Sequence, residues 1–250
     1  MLPKSRIKYI QSLAQKKSRQ EAGEFVVEGP KLLEEILASA PAQINAVYAL
    51  PSWVEAHKSL LKDLPAGILT EIDDTELERI SQLSTPNQVL ALASIPEAAP
   101  LPAEVHEPIL VLDTIQDPGN FGTMVRTADW FGIRHLVCSP ESADAFGPKV
   151  VQSSMGSILR VQVHYLELWP WIHTLGNLPI YATMLDGENL YDLPPMQEGL
   201  ILVGNESRGL APGLAQLATR RVTIPKIGGA ESLNASVAAG IVVGWLVGRR

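Results

Sequence analysis

Residues 108–132 read PILVLDTIQDPGNFGTMVRTADWFG. Residues 108–112 are apolar without interruption, whereas a strand with one wet face would alternate. A continuous aliphatic run marks a strand covered on both faces, as in a parallel sheet. Asp117, Pro118 and Gly119 make a turn. Phe121, Val125 and Ala128 then recur at helical spacing, and Gly132 stands near the helix end. This is a strand–turn–helix unit, and its pattern repeats. RHLVCS (134–139), LRVQVHYL (159–166), LPIYATML (178–185), GLILVGNE (199–206) and RRVTIP (220–225) read as strands. KVVQSSMGSIL (149–159) and SLNASVAAGIVVGWLVG (232–248) read as helices. The fold class is α/β, with a parallel sheet covered on both faces.

Upstream lies a second, smaller α/β pattern. EFVVEG, INAVYAL and QVLALASI read as strands. GPKLLEEILASA is a helix with Pro30 near its start, SWVEAHKSLLKD a helix behind a Ser52 cap, and DDTELERISQL another capped helix. Residues 96–108, PEAAPLPAEVHEP, hold four prolines and no apolar period, and read as a linker. The expected domains are 1–95, a linker at 96–107, and 108–250.

At 250 residues and 46% hydrophobic content the chain can bury a real core. The longest apolar run, Leu233–Val247, is broken by Asn234 and Ser236 and falls short of the ~18–20 residues a membrane span needs. No apolar leader follows the charged N-terminus. A lone cysteine, Cys138, allows no intrachain disulfide, and the five histidines show no metal-binding spacing. A cytoplasmic location is expected. The net charge of −7 is uneven: residues 1–20 carry Lys4, Arg6, Lys8, Lys16, Lys17 and Arg19 with no acid, leaving 14 of the 20 basic residues and all 27 acidic ones to the rest. Such segregation suits either a basic surface that meets phosphate or a solvated helix face.

In α/β sheets ligands collect at the loops after strand C-termini. Those loops hold no GxGxxG, no GxxxxGK[ST] and no GxSxG, which disfavours dinucleotide, P-loop and serine-hydrolase chemistry. They do hold Arg126, off the apolar stripe of its helix; Gly204 and Glu206 at the end of an aliphatic run; and ESLNAS (231–236) before the most apolar helix. Ser232 could cap that helix, leaving Asn234 and Ser236 unexplained by capping. Small residues at 232, 236, 240, 244 and 248 would let another backbone pack close.

Taken together, NFGTMVRTAD (NxGxxxRxA), LVGNESRGL (GNExxGL) and IPKIGGAESLNASVAAGI (IPxxGxxxSLNxSxAxxI) resemble the SpoU/TrmH family of the SPOUT superfamily of RNA methyltransferases. The resemblance covers roughly residues 107–250. The preceding segment, especially KKSRQEAGEFVVEGPKLLEE, looks like the ribosomal-protein-like RNA-binding domain often found before this catalytic domain. Ser207 departs from the glycine frequent after the glutamate. The resemblance implies a deep trefoil knot in the C-terminal domain, a homodimer with active sites near its interface, and S-adenosylmethionine as cofactor; no metal is expected, from the histidine and cysteine spacing above. It assigns Asn120, Arg126, Glu206, Ser232 and Asn234 to catalysis. It assigns Thr183, Met184, Leu185, Gly204, Ile224 and Leu233 to cofactor contacts. The implied reaction is methylation of a ribose 2′-hydroxyl, with 23S ribosomal RNA favoured over transfer RNA and the six basic residues of 1–20 contacting RNA. A non-catalytic RNA-binding protein of the same fold, or a sister enzyme acting on a base, are the competing readings.

Overall fold

The computed structural model describes residues 1–62 and 64–249; Asp63, the last residue of the helix expected at 52–63, and Arg250 lie outside them. In chain order the elements are α1 (Lys4–Ser12), α2 (Lys16–Ala22), β1 (Glu24–Glu28), α3 (Pro30–Ser39), β2 (Ile44–Ala49), α4 (Pro51–Ala56), α5 (Lys58–Leu61), β3 (Leu69–Glu71), α6 (Asp74–Ile80) and β4 (Val89–Ser94). There follow β5 (Pro108–Leu112), α7 (Pro118–Trp130), β6 (His135–Cys138), α8 (Pro148–Ser154), β7 (Gln162–Tyr165), α9 (Leu168–His173), β8 (Ile180–Asn189), β9 (Gly199–Val203), α10 (Pro212–Gln216), β10 (Arg220–Thr223) and α11 (Ala235–Leu246). Among the described residues no helix is long and apolar enough to cross a membrane.

The chain forms two compact units: Met1–Glu97 with Phe146–Leu159, and Ala98–Ala145 with Arg160–Arg250. Sequence order alone would leave 146–159 in the second domain. The structure packs it into the first, because Val151 belongs to that unit's core and Phe146 meets Phe25 at 5.0 Å between ring centres. Gln152 also donates to the Glu28 carbonyl at 2.8 Å. Residues 98–107 are likewise not a bare tether: Val105 is buried and Leu101 packs against the core of the second unit.

The first unit is a mixed sheet in the order β1-β4-β2-β3. Alternate residues face opposite ways, as strand geometry dictates. Phe25, Val27, Val47 and Ala91 join α3 residues Leu33 and Ile36 on one side, and Val26, Tyr48, Leu90 and Leu92 meet Ile7, Ile10, Leu77 and Ile80 on the other. The helix expected from Ser52 begins instead at Pro51, has no side-chain cap and breaks at His57. Proline at the first helical position supplies its start. Asp73 caps α6 with Glu76 in a reciprocal capping box.

Lys4, Lys8, Lys16 and Lys17 are exposed. Arg6 is half-buried, donating to the Tyr48 hydroxyl and lying over the Tyr9 and Tyr48 rings. Arg19 departs from the expected RNA-contacting set. It is 4% exposed, and its Nη1 donates to the carbonyls of Leu13 (2.6 Å) and Ala14 (2.9 Å). These carbonyls follow the end of α1, where no helical partner remains, so the guanidinium is used structurally.

The second unit is an all-parallel sheet ordered β10-β8-β9-β5-β6-β7. β5 and β9 are fully buried. Pairing of Leu112 with Val203 and of Ala182 with Leu202 brings the chain out of β5, β9 and β8 at one level. Between Arg221 and Val222 the β10 register on β8 jumps from Ala182 to Glu188, so residues 183–187 bulge out of the ladder. Gly187 permits this: a Cβ there would lie 2.6 Å from the Arg221 carbonyl oxygen.

On β6 and β7, His135 Nδ1 and His164 Nε2 stand 3.1 Å apart. Burial lowers the pKa of both; for His135, Glu107 opposes the shift and Arg134 adds to it. The folded state therefore prefers neutral imidazoles. The stability this confers is full above the unfolded histidine value of about 6.5 and is lost as pH falls below it. The unfolding midpoint is expected to drop between pH 7 and 5, and to drop less in His164→Gln. Equal drops in both proteins, measured by thermal denaturation, would exclude the pair as the source.

Candidate active site

The C-terminal edge of the parallel sheet carries a cavity of about 600 Å³, a size typical of small-molecule sites. Three loops build it. The bulge within β8 contributes Thr183, Met184, Leu185 and Asp186; the turn after β9 contributes Gly204 and Glu206; and the segment between β10 and α11 contributes Ile224, Lys226, Ser232 and Leu233. All six residues assigned to cofactor contact thus lie around one space. Thr183 is pinned by its Oγ1 to the Leu202 carbonyl (3.0 Å), and Thr223 Oγ1 reaches the Leu185 carbonyl (3.2 Å). The side chains of Leu185, Ile227 and Leu233 are exposed at its walls, giving apolar surface for a flat ring. Carboxylates of Asp186, Glu206 and Glu231 also line it, together with Arg208 and Lys226, so both signs of charge are offered to a ligand.

At its rim the polar residues form a chain. Asn234 Oδ1 accepts from the amides of Ser236 (3.0 Å) and Val237 (3.3 Å), so Asn234 is the N-cap of α11. This corrects the Ser232 reading: residues 224–233 stay irregular and the helix starts later. Asn234 Nδ2 donates to Asn120 Oδ1 (2.9 Å), and Asn120 Nδ2 donates to Glu206 Oε1 (2.8 Å). Asn120 sits in the first turn of α7, where its amide is capped by Asp117 Oδ1 at 2.8 Å. Ser236 is 8% exposed, and its hydroxyl donates to Asn234 Oδ1 (2.7 Å) and lies 3.3 Å from Asn120 Oδ1. Ser236 thereby joins the site network from the first turn of α11; its signals in the sequence are its place in the SLNxS motif and the absence of a capping role for it. Among the described residues Glu206 Oε2 and the Ser232 hydroxyl have no partner, so both are open to a ligand.

Arg126 stands apart from this chain. It is exposed, has no hydrogen-bond or ion-pair partner among the described residues, and lines a shallower cleft with Thr123, Thr127, Trp130, Phe131 and Gly240. The stripe of small residues also reads differently. A Cβ built at Gly244 would lie 3.4 Å from the Phe131 ring and one at Gly240 would meet nothing within 4 Å, so near Gly244 it is an aromatic ring that packs on the stripe. Among the described residues no three His, Cys, Asp or Glu side chains cluster as a metal site.

An all-parallel sheet whose C-terminal edge bears a ligand-sized cavity and a fixed carboxylate defines a cofactor-dependent α/β enzyme scaffold. Residues 107–244 match the SpoU rRNA methylase family, and residues 4–91 match the MRM3-like substrate binding domain. The chain belongs to the SpoU rRNA methylase family. It is 32% identical over 247 residues to the 23S rRNA (guanosine(2553)-2′-O)-methyltransferase RlmP of Bacillus subtilis (strain 168), covering 97% of this chain and 96% of that one. Among solved structures it is similar to the SpoU methyltransferase AviRb from Streptomyces viridochromogenes in complex with AdoMet, with a TM-score of 0.81 and 25% identity over 99% and 98% of the two chains. It is also similar to an AdoMet-bound rRNA methyltransferase from Sinorhizobium meliloti, with a TM-score of 0.81 and 27% identity over 98% and 95%.

Proposed function

We propose that this protein transfers a methyl group from S-adenosylmethionine to a ribose 2′-hydroxyl of RNA, with 23S ribosomal RNA as the substrate. The observation that carries this reading is the Asn234–Asn120–Glu206 chain at the rim of a ligand-sized cavity. It occurs in a chain that aligns end to end with a 23S rRNA 2′-O-methyltransferase. The bound cofactor would supply a methyl already activated on a sulfonium. Thr183, Met184, Leu185, Gly204, Ile224 and Leu233 hold it in the cavity. Alignment of the attacking oxygen is then the main task of the protein.

Guanidinium groups keep their proton in water, so Arg126 is not the base. It binds the phosphate next to the target ribose and stabilises the alkoxide that develops; as the 2′-oxygen takes the methyl, the methyl–sulfur bond breaks to leave the neutral thioether S-adenosylhomocysteine, and the hydroxyl proton passes to that phosphate. Asn120 holds Glu206 by one oxygen, leaving the other to orient the substrate, and Ser232 and Asn234 order the rim around the target nucleotide. A homodimer through the catalytic unit belongs to the same proposal, as does the trefoil knot. The dimer is supported by the cleft beside Arg126, where Trp130 is 82% exposed. A cytoplasmic site of action is supported by the chain holding a single cysteine, Cys138, which is buried and so forms no intrachain disulfide.

The test is methyl transfer from labelled S-adenosylmethionine to unmodified ribosomal and transfer RNA pools, with mapping of 2′-O-methyl positions. Label on ribosomal RNA at a ribose oxygen supports the proposal. Label only on transfer RNA would replace the substrate, and label on a base would replace the reaction.

The first unit is proposed to bind RNA through Lys4, Lys8, Lys16 and Lys17, with Arg6 beside them. Lys4→Ala with Lys8→Ala is expected to weaken RNA binding and to reduce the salt slope by roughly 1.5, at ~0.7–0.9 for each phosphate left without its cation. An unchanged slope in filter binding would remove these residues from the interface. Substitution is a cleaner test than deleting residues 1–20, which would strip Ile7, Ile10 and Leu13 from the core.

A further inference from the structure

Three residues with no role so far stand between the two ends of the Asn120–Glu206 bond. Asp113 follows β5, is 7% exposed, and accepts from the Ala211 amide at 2.7 Å. Its other oxygen accepts from Thr114 Oγ1 at 3.0 Å. Thr114 has φ of +56°, a left-handed conformation that a β-branched residue adopts only under strain. In that conformation its N–H reaches Ser139 Oγ (2.9 Å), while its carbonyl accepts from Asn205 Nδ2 (2.9 Å). Asn205 Oδ1 in turn accepts from the amides of Ser207 (2.9 Å) and Arg208 (3.2 Å), closing the turn that carries Glu206.

The topology explains why one bond can matter. Thr114 lies three residues before Asp117, which caps Asn120; Asn205 lies one residue before Glu206. The Asn205–Thr114 bond therefore ties together the two strand ends that present Asn120 and Glu206. We infer that Asn205 and the strained carbonyl of Thr114 form a positioning pair that sets the distance between Asn120 and Glu206 for methyl transfer. This rests on the methyltransferase reading above.

Asn205→Asp isolates the bond. The variant keeps the oxygen that closes the local turn and sets a carboxylate oxygen, which cannot donate and repels, against the Thr114 carbonyl. The expected result is a turnover number lower by on the order of tenfold to a hundredfold, as for a misplacement of ~1 Å, with KM for S-adenosylmethionine within about threefold of wild type and an unchanged unfolding midpoint. Asn205→Ser keeps a weaker acceptor for the turn, cannot reach Thr114, and should give the same split if the aspartate variant folds poorly. Wild-type turnover in both variants would overturn the inference alone. So would a loss of turnover that only parallels a loss of cofactor affinity and thermal stability, the signature of a merely structural residue. Wild-type protein that transfers no label to any RNA would take down the functional reading, and this inference with it.

Discussion

Arg126→Ala is expected to lower methyl transfer to RNA by about 10²–10³-fold, the scale for removing a preorganised donor from a developing oxyanion, and to leave cofactor affinity within about twofold of wild type. Both halves follow from position. Arg126 is exposed and unpartnered among the described residues, so no other part of the fold depends on its charge. It lines the cleft with Trp130 and Gly240 and not the large cavity, so it makes no wall of the cofactor site. Arg126→Lys should recover only part of the rate, because an ammonium is a point charge and cannot grip a phosphate with two parallel bonds. Titration of S-adenosylmethionine beside single-turnover transfer measures both quantities. If the alanine variant keeps its rate, Arg126 has no part in the reaction. If the lysine variant matches wild type, the bidentate contact is wrong.

Gly204→Ala is expected to abolish cofactor binding and to destabilise the second unit by about 1–3 kcal/mol, the usual cost of overpacking. A Cβ at this position would lie 2.3 Å from both the Gly209 carbonyl carbon and the Leu210 nitrogen. These are backbone atoms, held by the reciprocal pairing of Asn205 with Gly209, and they cannot swing aside as a flexible side chain would. The turn must open, and the Glu206 loop moves with it. Gly240→Ala is the control, since a Cβ there meets nothing within 4 Å. Thermal unfolding and calorimetric titration distinguish them. A Gly204→Ala protein with wild-type midpoint and affinity would show that the loop adapts, and the steric account would fall.

Much of this is legible from residue order. The continuous apolar runs of β5 and β9 announce strands buried on both faces, because only a parallel sheet between helix layers needs no polar face. Both fully buried strands lie at the centre of that sheet. Polar residues crowded after those strands mark the site, since strand ends are where a packed sheet first meets solvent. The family likeness comes from the segments that follow β5, β9 and β10.

Other features need the folded chain. Arg19 groups with the surface lysines in a sequence because charge is visible there, whereas the bare carbonyls after α1 that bury it are not. Segment 146–159 leaves its sequence neighbours because Val151 and Phe146 find their apolar partners in the first unit, a choice that depends on shape in three dimensions. The start of α11 moves to Asn234 because a cap is fixed by where the preceding loop ends. Arg126 and Asn120 are set apart by their six-residue spacing on α7, about 120° around its axis, and the left-handed turn at Thr114 is visible only in the folded backbone. Residue order dictates which segments are strands and helices and which loops hold the polar groups, because these follow from local period and turn chemistry. Which of those groups touch is settled only by the folded arrangement, because a hydrogen bond between residues 86 or 114 apart depends on how the sheet brings the loops together.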